Sequence, residues 1–258
     1  MAIRVSVDDR IAELVLDAPD RLNAATLQDW LDAIDALVRL AADRSLRGLV
    51  VRGNGKAFSA GADLGFLDDL RAMDDAERSD TLRKGSDLVR LLIRFPTPTA
   101  AAVDGACFGV GASLALACDR IVATPRAKFG FVFTGLGIPP GDMAATWLLS
   151  RRVGTRRAWQ ILQDAAVVTA DDALALGLVD RIDDAPGSDA LAAGLTWTAS
   201  APAAVRTTKR QILEIEGAFE QLDAQMETQL AELTAAVGGP DFVEGLASVR
   251  ERRAPRFD

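Results

Sequence analysis

Two short segments combine small residues with glycine where a predicted strand gives way to a predicted helix. The first is Lys56–Leu64 (KAFSAGADL) and the second is Val103–Ala112 (VDGACFGVGA). Small residues leave backbone N–H groups open to a ligand oxygen, because no large side chain blocks the approach. Two such N–H groups that converge on one carbonyl would form an oxyanion hole. The alternative, that each segment is only a tight turn, stays open because glycine is common in such turns.

The composition limits which side chains can support catalysis. The 258 residues include no His, no Tyr and only two Cys, Cys107 and Cys118. Catalysis by Ser-His-Asp or Cys-His groups, His-ligated metal sites and a tyrosine general acid are therefore excluded. Two Cys supply neither a thiolate cage nor a disulfide framework, and we predict no metal site. Any chemistry must depend on carboxylates, Ser/Thr, Lys/Arg or backbone dipoles.

Charge and hydropathy predict a soluble protein of a reducing compartment, the cytoplasm. The 29 Lys+Arg and 37 Asp+Glu residues give a formal net charge of −8. Nucleic acid is not an expected partner, since its phosphate backbone requires clustered positive charge. The N-terminus has no uninterrupted apolar region, and the chain has no apolar run near the ~20 residues of a membrane span. We therefore expect no membrane contact.

The spacing of apolar residues predicts alternating strands and helices. Residues 3–7 and 11–17 alternate between apolar and polar types around a polar turn, which is typical of a hairpin. A helix is predicted from Thr26, with apolar residues at three- and four-residue intervals, and a short one over 112–117. The other predicted strands are 49–51, 99–103 and 120–123. Repetition of strand, glycine turn and helix favours an α/β fold with right-handed crossovers.

After Pro186 the pattern changes to helices alone. The predicted helices are 191–199, 203–215, 219–237 and 242–253. We therefore divide the chain into an α/β core, residues 1–195, and a helical C-terminal region, residues 196–258. In the latter, apolar residues recur at helical spacing (Phe219, Leu222, Met226, Leu230 and Leu233). This face is larger than a lone helical annex would bury, which predicts oligomerisation.

The two glycine segments, taken together, carry a family resemblance. The sequence through Ser59–Leu64, Pro98–Gly105 and Ala112–Ile121 closely resembles the enoyl-CoA hydratase/isomerase (crotonase) superfamily. The resemblance runs from about residue 3 to the C-terminus. Its further supporting positions are Phe129, Leu136–Pro139, Arg152–Gly154, Ala170–Ile182 and Asp241–Phe257.

The resemblance implies a fold, a substrate and an assembly. The fold is a spiral of ββα turns with a helical C-terminal trimerisation region, assembled as a homotrimer or a dimer of trimers. The substrate is an acyl-CoA thioester, so coenzyme A is part of the substrate and no separate cofactor is expected. By position, the N–H groups of Ala62 and Val110 bind the thioester carbonyl. Family members usually carry Gly or Ala at the second position, so Val110 is expected to narrow the pocket, which favours short acyl groups or a different acyl placement.

The same resemblance gives candidates for binding the CoA part of the substrate. These are Arg21, Ala24, Lys56, Ala60, Ala62, Asp63 and Leu64, with the terminal Arg252-Arg253 pair as a further source of positive charge. Each cation also fits an ordinary solvated surface position. Asp63 and Asp119 are expected chiefly to tie family turns together, and Asp104 is interpreted as a turn residue.

At the positions of the family's hydratase acids this chain has no acid. Hydratases carry one Glu four residues after the first glycine of the Gly-x-Gly pair, here Gly109, and another 20 residues later. The two manage the attacking water and the α-carbon proton. Here the positions are Ser113 and Phe133. Phe cannot transfer a proton, and a Ser in a chain without His has no obvious base beside it. The two-Glu hydration scheme is therefore not expected.

A single carboxylate, Asp142, replaces the missing pair in our prediction. The segment Leu136–Leu149 (LGIPPGDMAATWLL) resembles the corresponding loop of the enoyl-CoA and ring-oxepin-CoA isomerase subgroup, with one extra residue before the Asp. There, one carboxylate moves a proton along the acyl chain. The alternative is that Asp142 only caps a helix over Met143–Leu149, since Asp is a common N-cap.

We therefore predict an isomerase that moves a double bond through an enolate. Asp142 removes a proton at C4 or C2 and returns it at the other end, while the two amides stabilise the enolate. Water is expected to be excluded by an apolar wall made of Leu67, Phe131, Phe133 and Trp147, although these aromatic residues fit plain core packing as well. Ser113 is also assigned to the substrate pocket. A hydratase, another crotonase-type lyase and a non-catalytic acyl-CoA-binding protein remain alternatives. A dehalogenase is disfavoured because such sites depend on a His.

Overall fold

The computed structural model describes residues 3–140, 142–184, 200–215 and 218–257, with the backbone alone for residues 142, 218 and 219. Its strands are β1 (Ile3–Asp8), β2 (Ile11–Leu16), β3 (Gly48–Gly53), β4 (Ala57–Ser59), β5 (Thr99–Val103), β6 (Ala106–Phe108), β7 (Arg120–Ala123), β8 (Lys128–Gly130), β9 (Val167–Thr169) and β10 (Arg181–Ile182). Its helices are α1 (Leu27–Ala42), α2 (Leu64–Ala72), α3 (Asp75–Ile93), α4 (Val110–Leu116), α5 (Ala145–Val153), α6 (Thr155–Gln163), α7 (Ala170–Leu176), α8 (Pro202–Glu214), α9 (Ala218–Val237) and α10 (Pro240–Glu251). The structure confirms the predicted α/β fold.

The strands form two sheets. The larger has the order β1-β2-β3-β5-β7-β10 and the smaller has the order β4-β6-β8-β9. Apart from the antiparallel pairs β1–β2 and β8–β9, neighbouring strands are parallel. The chain therefore repeats one unit, a strand of the larger sheet, a strand of the smaller sheet and a helix, as in β3-β4-α2 and β5-β6-α4. Because β4 and β6 are parallel neighbours, the turns that follow them emerge side by side.

The predicted hairpin is confirmed, with Asp8 opposite Ile11 in the register. Its two turn residues, Asp9 and Arg10, have φ of 40° and 68°. Positive φ at both central residues is the geometry of the two-residue turn whose twist matches antiparallel strands. The turn therefore fixes the register of the first strand pair.

Helix α1 begins where the sequence predicts, at the N-cap Thr26. The Thr26 hydroxyl accepts the Asp29 N–H at 3.3 Å, and the Asp29 carboxylate accepts the Thr26 N–H at 2.9 Å. This reciprocal pair, a capping box, satisfies amides that have no partner inside the helix. The buried face of α1 carries Trp30, whose ring meets Phe66 of α2 edge-on at 5.0 Å.

Helix α9 packs against α3 in the same chain. Its predicted apolar residues Leu222, Met226, Leu230 and Leu233 are all buried. Alongside them Arg83 of α3 pairs with Glu227 at 2.7 Å, and Arg94 pairs with Asp223 at 2.7 Å. These four residues are therefore buried within the chain itself and give no argument for an oligomer. The side chain of the fifth, Phe219, lies outside the described residues, and trimerisation stays a prediction from the family resemblance.

Helices α8, α9 and α10 match three of the four helices predicted for the C-terminal region. The fourth, 191–199, and the boundary between residues 195 and 196 lie outside the described residues. In the described ranges, no helix combines the length and apolarity needed to cross a membrane.

Candidate active site

The first glycine turn follows β4 and leads into α2. Gly61 has a φ of +104°, which side-chain-bearing residues rarely adopt. Ser59, fully buried, accepts the Gly61 N–H at 3.2 Å and donates its hydroxyl hydrogen to the Asn23 carbonyl at 2.8 Å. Asp63 then caps α2 by accepting the N–H groups of Gly65 and Phe66. Polar side chains therefore hold this turn on both sides.

Asn23 braces the first turn from a neighbouring loop, a role that sequence reasoning did not assign. It is buried and has a φ of 56°. Its side-chain amide donates to the carbonyls of Asn54 and Ala57 at 2.9 and 2.8 Å, and its side-chain oxygen accepts the Ala18 N–H at 2.9 Å. Asn tolerates the left-handed region better than most residues, so an Asn among small residues was the available sequence signal.

Close backbone packing fixes the second turn. A Cβ on Gly105 would lie 2.1 Å from the Lys56 carbonyl oxygen, and one on Gly111 would lie 2.7 Å from Ser59 Cβ. The Gly109 N–H donates to the Gly130 carbonyl at 2.9 Å. A Cβ on Gly61 would lie 3.1 Å from the Phe108 carbonyl oxygen. The two turns thus touch each other through glycine backbone.

A cavity of about 470 Å³ opens between the two turns, and both Ala62 and Val110 line it. The Ala25 N–H donates to the Gly61 carbonyl at 2.7 Å, and the Asp63 N–H donates to the Ala25 carbonyl at 2.9 Å. These bonds flank Ala62 without using its own amide. The Val110 amide is the first of α4, where no intrahelical acceptor exists. Within the described part of the chain, neither amide donates a hydrogen bond.

The rest of the cavity wall is mainly apolar. Of the residues predicted around the substrate, Ala60, Leu64, Leu67 and Phe133 line it. The other described lining residues are Gly61, Phe108, Gly109, Val132, Gly135, Leu136, Ile138, Ala165, Ser248, Val249, Arg252, Arg253 and Pro255. Helix α10 and the segment after it therefore close one side of the cavity, and no Asp or Glu stands among these residues.

Three residues predicted for the substrate pocket are not in the described lining of this cavity. Ser113 is fully buried inside α4, with its hydroxyl 3.5 Å from the Gly109 carbonyl oxygen. Phe131 is fully buried in the core. Trp147 packs partly against the core, with the Arg151 guanidinium 4.7 Å from its ring centre. Of the predicted apolar wall, the described lining therefore contains Leu67 and Phe133, while Phe131 belongs to the core and Trp147 packs partly against it.

The segment around Asp142 differs from the predicted helix. Asp142–Ala144 forms a 3₁₀ turn, and Met143 and Ala144 have φ of 52° and 61°. Helix α5 starts only at Ala145, with Ala144 at the N-cap position, so Asp142 does not cap a helix over Met143–Leu149. The Asp142 side chain itself lies outside the described residues, and its role as the base stays a prediction.

The predicted CoA-binding cations differ in their surroundings. Arg21 donates to Asp29 Oδ2 at 2.5 Å and to the Ala24 carbonyl at 2.7 Å, so its charge is compensated. Lys56 is exposed beside the first turn. Arg253 pairs with Glu244, and the side-chain bonds from Arg253, aided by the Arg256 amide, lower the pKa of Glu244 to about 2. Arg252 is exposed at the cavity.

The remaining polar candidates have structural partners. Asp119 accepts the Thr99 N–H at 2.7 Å, and Asp104 pairs with Arg126 at 2.5 Å. Cys118 is fully buried, and burial raises the pKa of its thiol to about 12, so it stays protonated at neutral pH. Among the residues that the structure describes, no cluster of His, Cys, Asp or Glu could hold a metal ion.

Comparisons with known proteins agree with this geometry. Residues 7–258 match the family model described as enoyl-CoA hydratase/isomerase. The chain is 35% identical over 260 residues to the enoyl-CoA isomerase/hydratase fer4 of Mycosarcoma maydis, covering 96% of this chain and 92% of that protein. It is 31% identical over 255 residues to 4-chlorobenzoyl coenzyme A dehalogenase-2 of an Arthrobacter species, covering 97% and 91%. Hydratase names predominate among the relatives.

A solved structure shares the whole fold. The enoyl-CoA hydratase of Mycobacterium avium subsp. paratuberculosis superposes with a TM-score of 0.87 at 27% identity, covering 100% of this chain and 99% of that one. The overall fold is therefore common to both chains.

Proposed function

The chain belongs to the enoyl-CoA hydratase/isomerase family, whose members act on acyl-CoA substrates, and we propose that it isomerises the double bond of an enoyl-CoA thioester. One observation carries the proposal. The described lining of the cavity offers the unpartnered amides of Ala62 and Val110 but no carboxylate, and the hydratase positions are Ser113 and Phe133. An oxyanion hole without an acid pair suits enolate chemistry with a single base.

In this mechanism the two amides bind the thioester oxygen. As a proton leaves the acyl chain, negative charge develops on that oxygen, and the amides stabilise it. One preorganised donor of this kind contributes ~3–4 kcal/mol to the transition state. The apolar wall beside them, including Leu67 and Phe133, excludes water and strengthens this electrostatic effect.

The proton is moved by Asp142. Its carboxylate takes a proton from C2 of a 3-enoyl-CoA, which gives a dienolate. The double bond then moves from C3–C4 to C2–C3 as the same carboxyl group returns the proton at C4. A positioned acid–base group contributes ~10²–10⁴-fold. Asp142 comes four residues after Ile138, which lines the cavity, so their Cα atoms are at most ~14 Å apart.

The substrate also defines the partners that we propose. Coenzyme A arrives as part of the thioester, and the exposed Lys56 and Arg252 supply positive charge for its phosphates. No separate cofactor, nucleic acid or membrane takes part. By analogy with the family, the chain works as a homotrimer or a dimer of trimers, which light scattering would test.

The test is turnover of a 3-enoyl-CoA by Asp142→Asn, with Asp164→Asn as the matched control. Asp164 is an exposed carboxylate directly before Ala165, which lines the cavity, so the control removes one charge nearby. We expect Asp142→Asn to lower isomerisation by ~10²-fold or more with an unchanged melting temperature. Full activity in Asp142→Asn would disprove its role as the base.

A second candidate function, hydration, is favoured by the names of the relatives. The same preparation is therefore assayed with crotonyl-CoA for hydration and with 4-chlorobenzoyl-CoA for chloride release. Hydration at ~10 s⁻¹ or above, a rate typical of enzymes, would replace the isomerase proposal with a hydratase. Binding of enoyl-CoA without exchange of its C2 and C4 hydrogens for deuterium would indicate a non-catalytic binding protein.

A further inference from the structure

A second cavity, of about 290 Å³, lies at the opposite end of the larger sheet from the glycine turns. Strands β3 and β5 are parallel, so their amino ends share one edge. Arg44 stands shortly before β3, Arg94–Pro96 stands shortly before β5, and α8 covers both. Among described residues, this cavity and the candidate active site have no lining residue in common.

The second cavity is strongly basic. Its cationic lining residues are Arg44, Arg94, Arg206, Lys209 and Arg210, and its other described lining residues are Phe95, Pro96, Thr207 and Leu213. No carboxylate stands in that described lining, although the chain as a whole has a formal charge of −8. Residues 206, 209, 210 and 213 follow helical spacing, so one face of α8 points its basic side chains at the cavity.

Hydrogen bonds hold two of these cations in place. Arg206 Nη2 donates to the carbonyls of Arg44 and Leu46, both at 2.8 Å, and its Nε is buried without a hydrogen-bond partner. Lys209 Nζ donates to the Thr97 carbonyl at 3.1 Å and to Asp119 at 2.7 Å. The basic wall is therefore built into the fold.

Positive charge remains after the ion pairs are counted. Arg94 pairs with Asp223, Arg210 with Glu214 and Lys209 with Asp119. Arg44 and Arg206 form no ion pair with the residues that the structure describes. Asp43, the carboxylate next to Arg44, accepts the amide and hydroxyl of Ser45, and the nearby positive charge of Arg206 also lowers its pKa although the two form no ion pair.

We propose that this cavity binds a small phosphorylated ligand, through its phosphate groups. Guanidinium groups present several N–H donors in a planar fork that matches phosphate oxygens, and Arg44, Arg206 and Arg210 supply three of them. Thr207 adds a hydroxyl, and Phe95, Pro96 and Leu213 add an apolar wall against which an organic group can rest. The volume lies near the lower end of small-molecule sites, which selects a compact ligand such as a pyrophosphate or nucleotide moiety.

The test is isothermal titration with pyrophosphate, comparing the wild type with the double variant Arg44→Gln/Arg210→Gln. Neither side chain is hydrogen-bonded to a described strand, and Arg210 pairs with the exposed Glu214 of its own helix, so the variant is expected to keep its melting temperature. Arg156→Gln/Arg157→Gln is the matched control, because it removes two exposed arginines of α6 outside the cavity.

We expect saturable binding to the wild type and to the control, and at least tenfold weaker binding to Arg44→Gln/Arg210→Gln. Wild-type binding should weaken as salt is raised. Absence of saturable binding, or equal losses in both double variants, would overturn the proposal.

Two sources could supply such phosphate groups, a free metabolite or the nucleotide end of CoA, and a competition experiment separates them. In wild-type protein, pyrophosphate is titrated with and without saturating CoA. Unchanged pyrophosphate binding supports a free metabolite at a site independent of the acyl-CoA cavity. The other outcome is that CoA displaces pyrophosphate from the wild type and from Arg156→Gln/Arg157→Gln, while Arg44→Gln/Arg210→Gln binds no pyrophosphate. That result would show that the cavity binds the phosphates of CoA.

Discussion

At the first glycine turn, polar side chains hold the backbone in place. Ser59 hydrogen-bonds to the backbone of both Gly61 and Asn23, and Asp63 caps the following helix. At the second turn the contacts are between backbones, with the Gly105 Cα close to the Lys56 carbonyl and Gly109 bonded to Gly130. Both turns nevertheless present one unpartnered amide to the same cavity.

This difference separates two ways of preorganising a backbone donor. Substitutions can remove the side-chain hydrogen bonds of the first turn one at a time, so the loss of stability there should be graded. At its closest contacts the second turn has no space for a Cβ, so a single substitution of glycine there should cause a large loss of stability. Because the turns touch at Gly61 and Phe108, a substitution that distorts one turn should also displace the other.

The largest effect is expected from Gly105→Ala at the second turn. The new Cβ would meet the Lys56 carbonyl oxygen at 2.1 Å, and φ is +70°. Left-handed backbone costs ~1–2 kcal/mol and overpacking a further ~1–3 kcal/mol, so urea denaturation should show a loss of roughly 2–5 kcal/mol. Gly177→Ala is the control, with φ of +75° and ψ of 16° but no atom nearer to the new Cβ than the Arg152 carbonyl oxygen at 3.9 Å. A similar loss in both variants would show that steric contact is not what fixes the second turn.

The next effect is expected from Asn23→Ala at the first turn. It removes three side-chain hydrogen bonds and leaves the buried Ala57 carbonyl without that donor. An unsatisfied buried polar group costs ~1–3 kcal/mol, so stability should fall by about 2–3 kcal/mol and turnover should fall with it. Asn54→Ala, which loses one half-exposed bond to Asp17, should cost less. Equal losses would argue against Asn23 as the brace.

A smaller effect is expected from Asp63→Ala, which removes the cap of α2. Losing an N-cap costs ~1 kcal/mol, whereas Asp63→Asn keeps an oxygen that accepts the Gly65 and Phe66 amides and should be nearly neutral. Thermal melting of the two variants measures the difference. A neutral Asp63→Ala would show that the cap does not support the first turn.

The smallest effect is expected at low pH, from protonation of Asp104 at the edge of the second turn. Burial raises the pKa of Asp104, but the hydrogen bonds from Arg126 and Thr124 outweigh burial and leave it below its usual 3.8. The associated stabilisation is complete above pH 3.8 and is lost as the pH falls through the lowered value. Acid titration should therefore unfold the wild type more steeply than Asp104→Asn, by less than ~1 kcal/mol because Arg126 is largely exposed. Acid-unfolding curves of equal steepness for the two proteins would show that this ion pair does not stabilise the second turn.

The sequence by itself determined the local elements and the two turns. Strands 99–103 and 120–123 have the predicted bounds, because a short apolar run between turn residues is typical of a buried strand. The glycine turns could be located because backbone with positive φ and close approach leaves few choices but glycine, and this requirement is visible without a fold.

Only the tertiary structure decided which faces meet. In the folded chain, α3 packs over the apolar face of α9, and Ser113 and Phe131 are buried outside the described cavity lining. Asn23 can brace the first turn because the fold brings two loops together that are distant in the sequence. The fold also assembled the basic cavity from residues before β3, before β5 and on α8. Local periodicity states that a helix has an apolar or basic face, but the partner of that face depends on contacts between residues far apart in the chain.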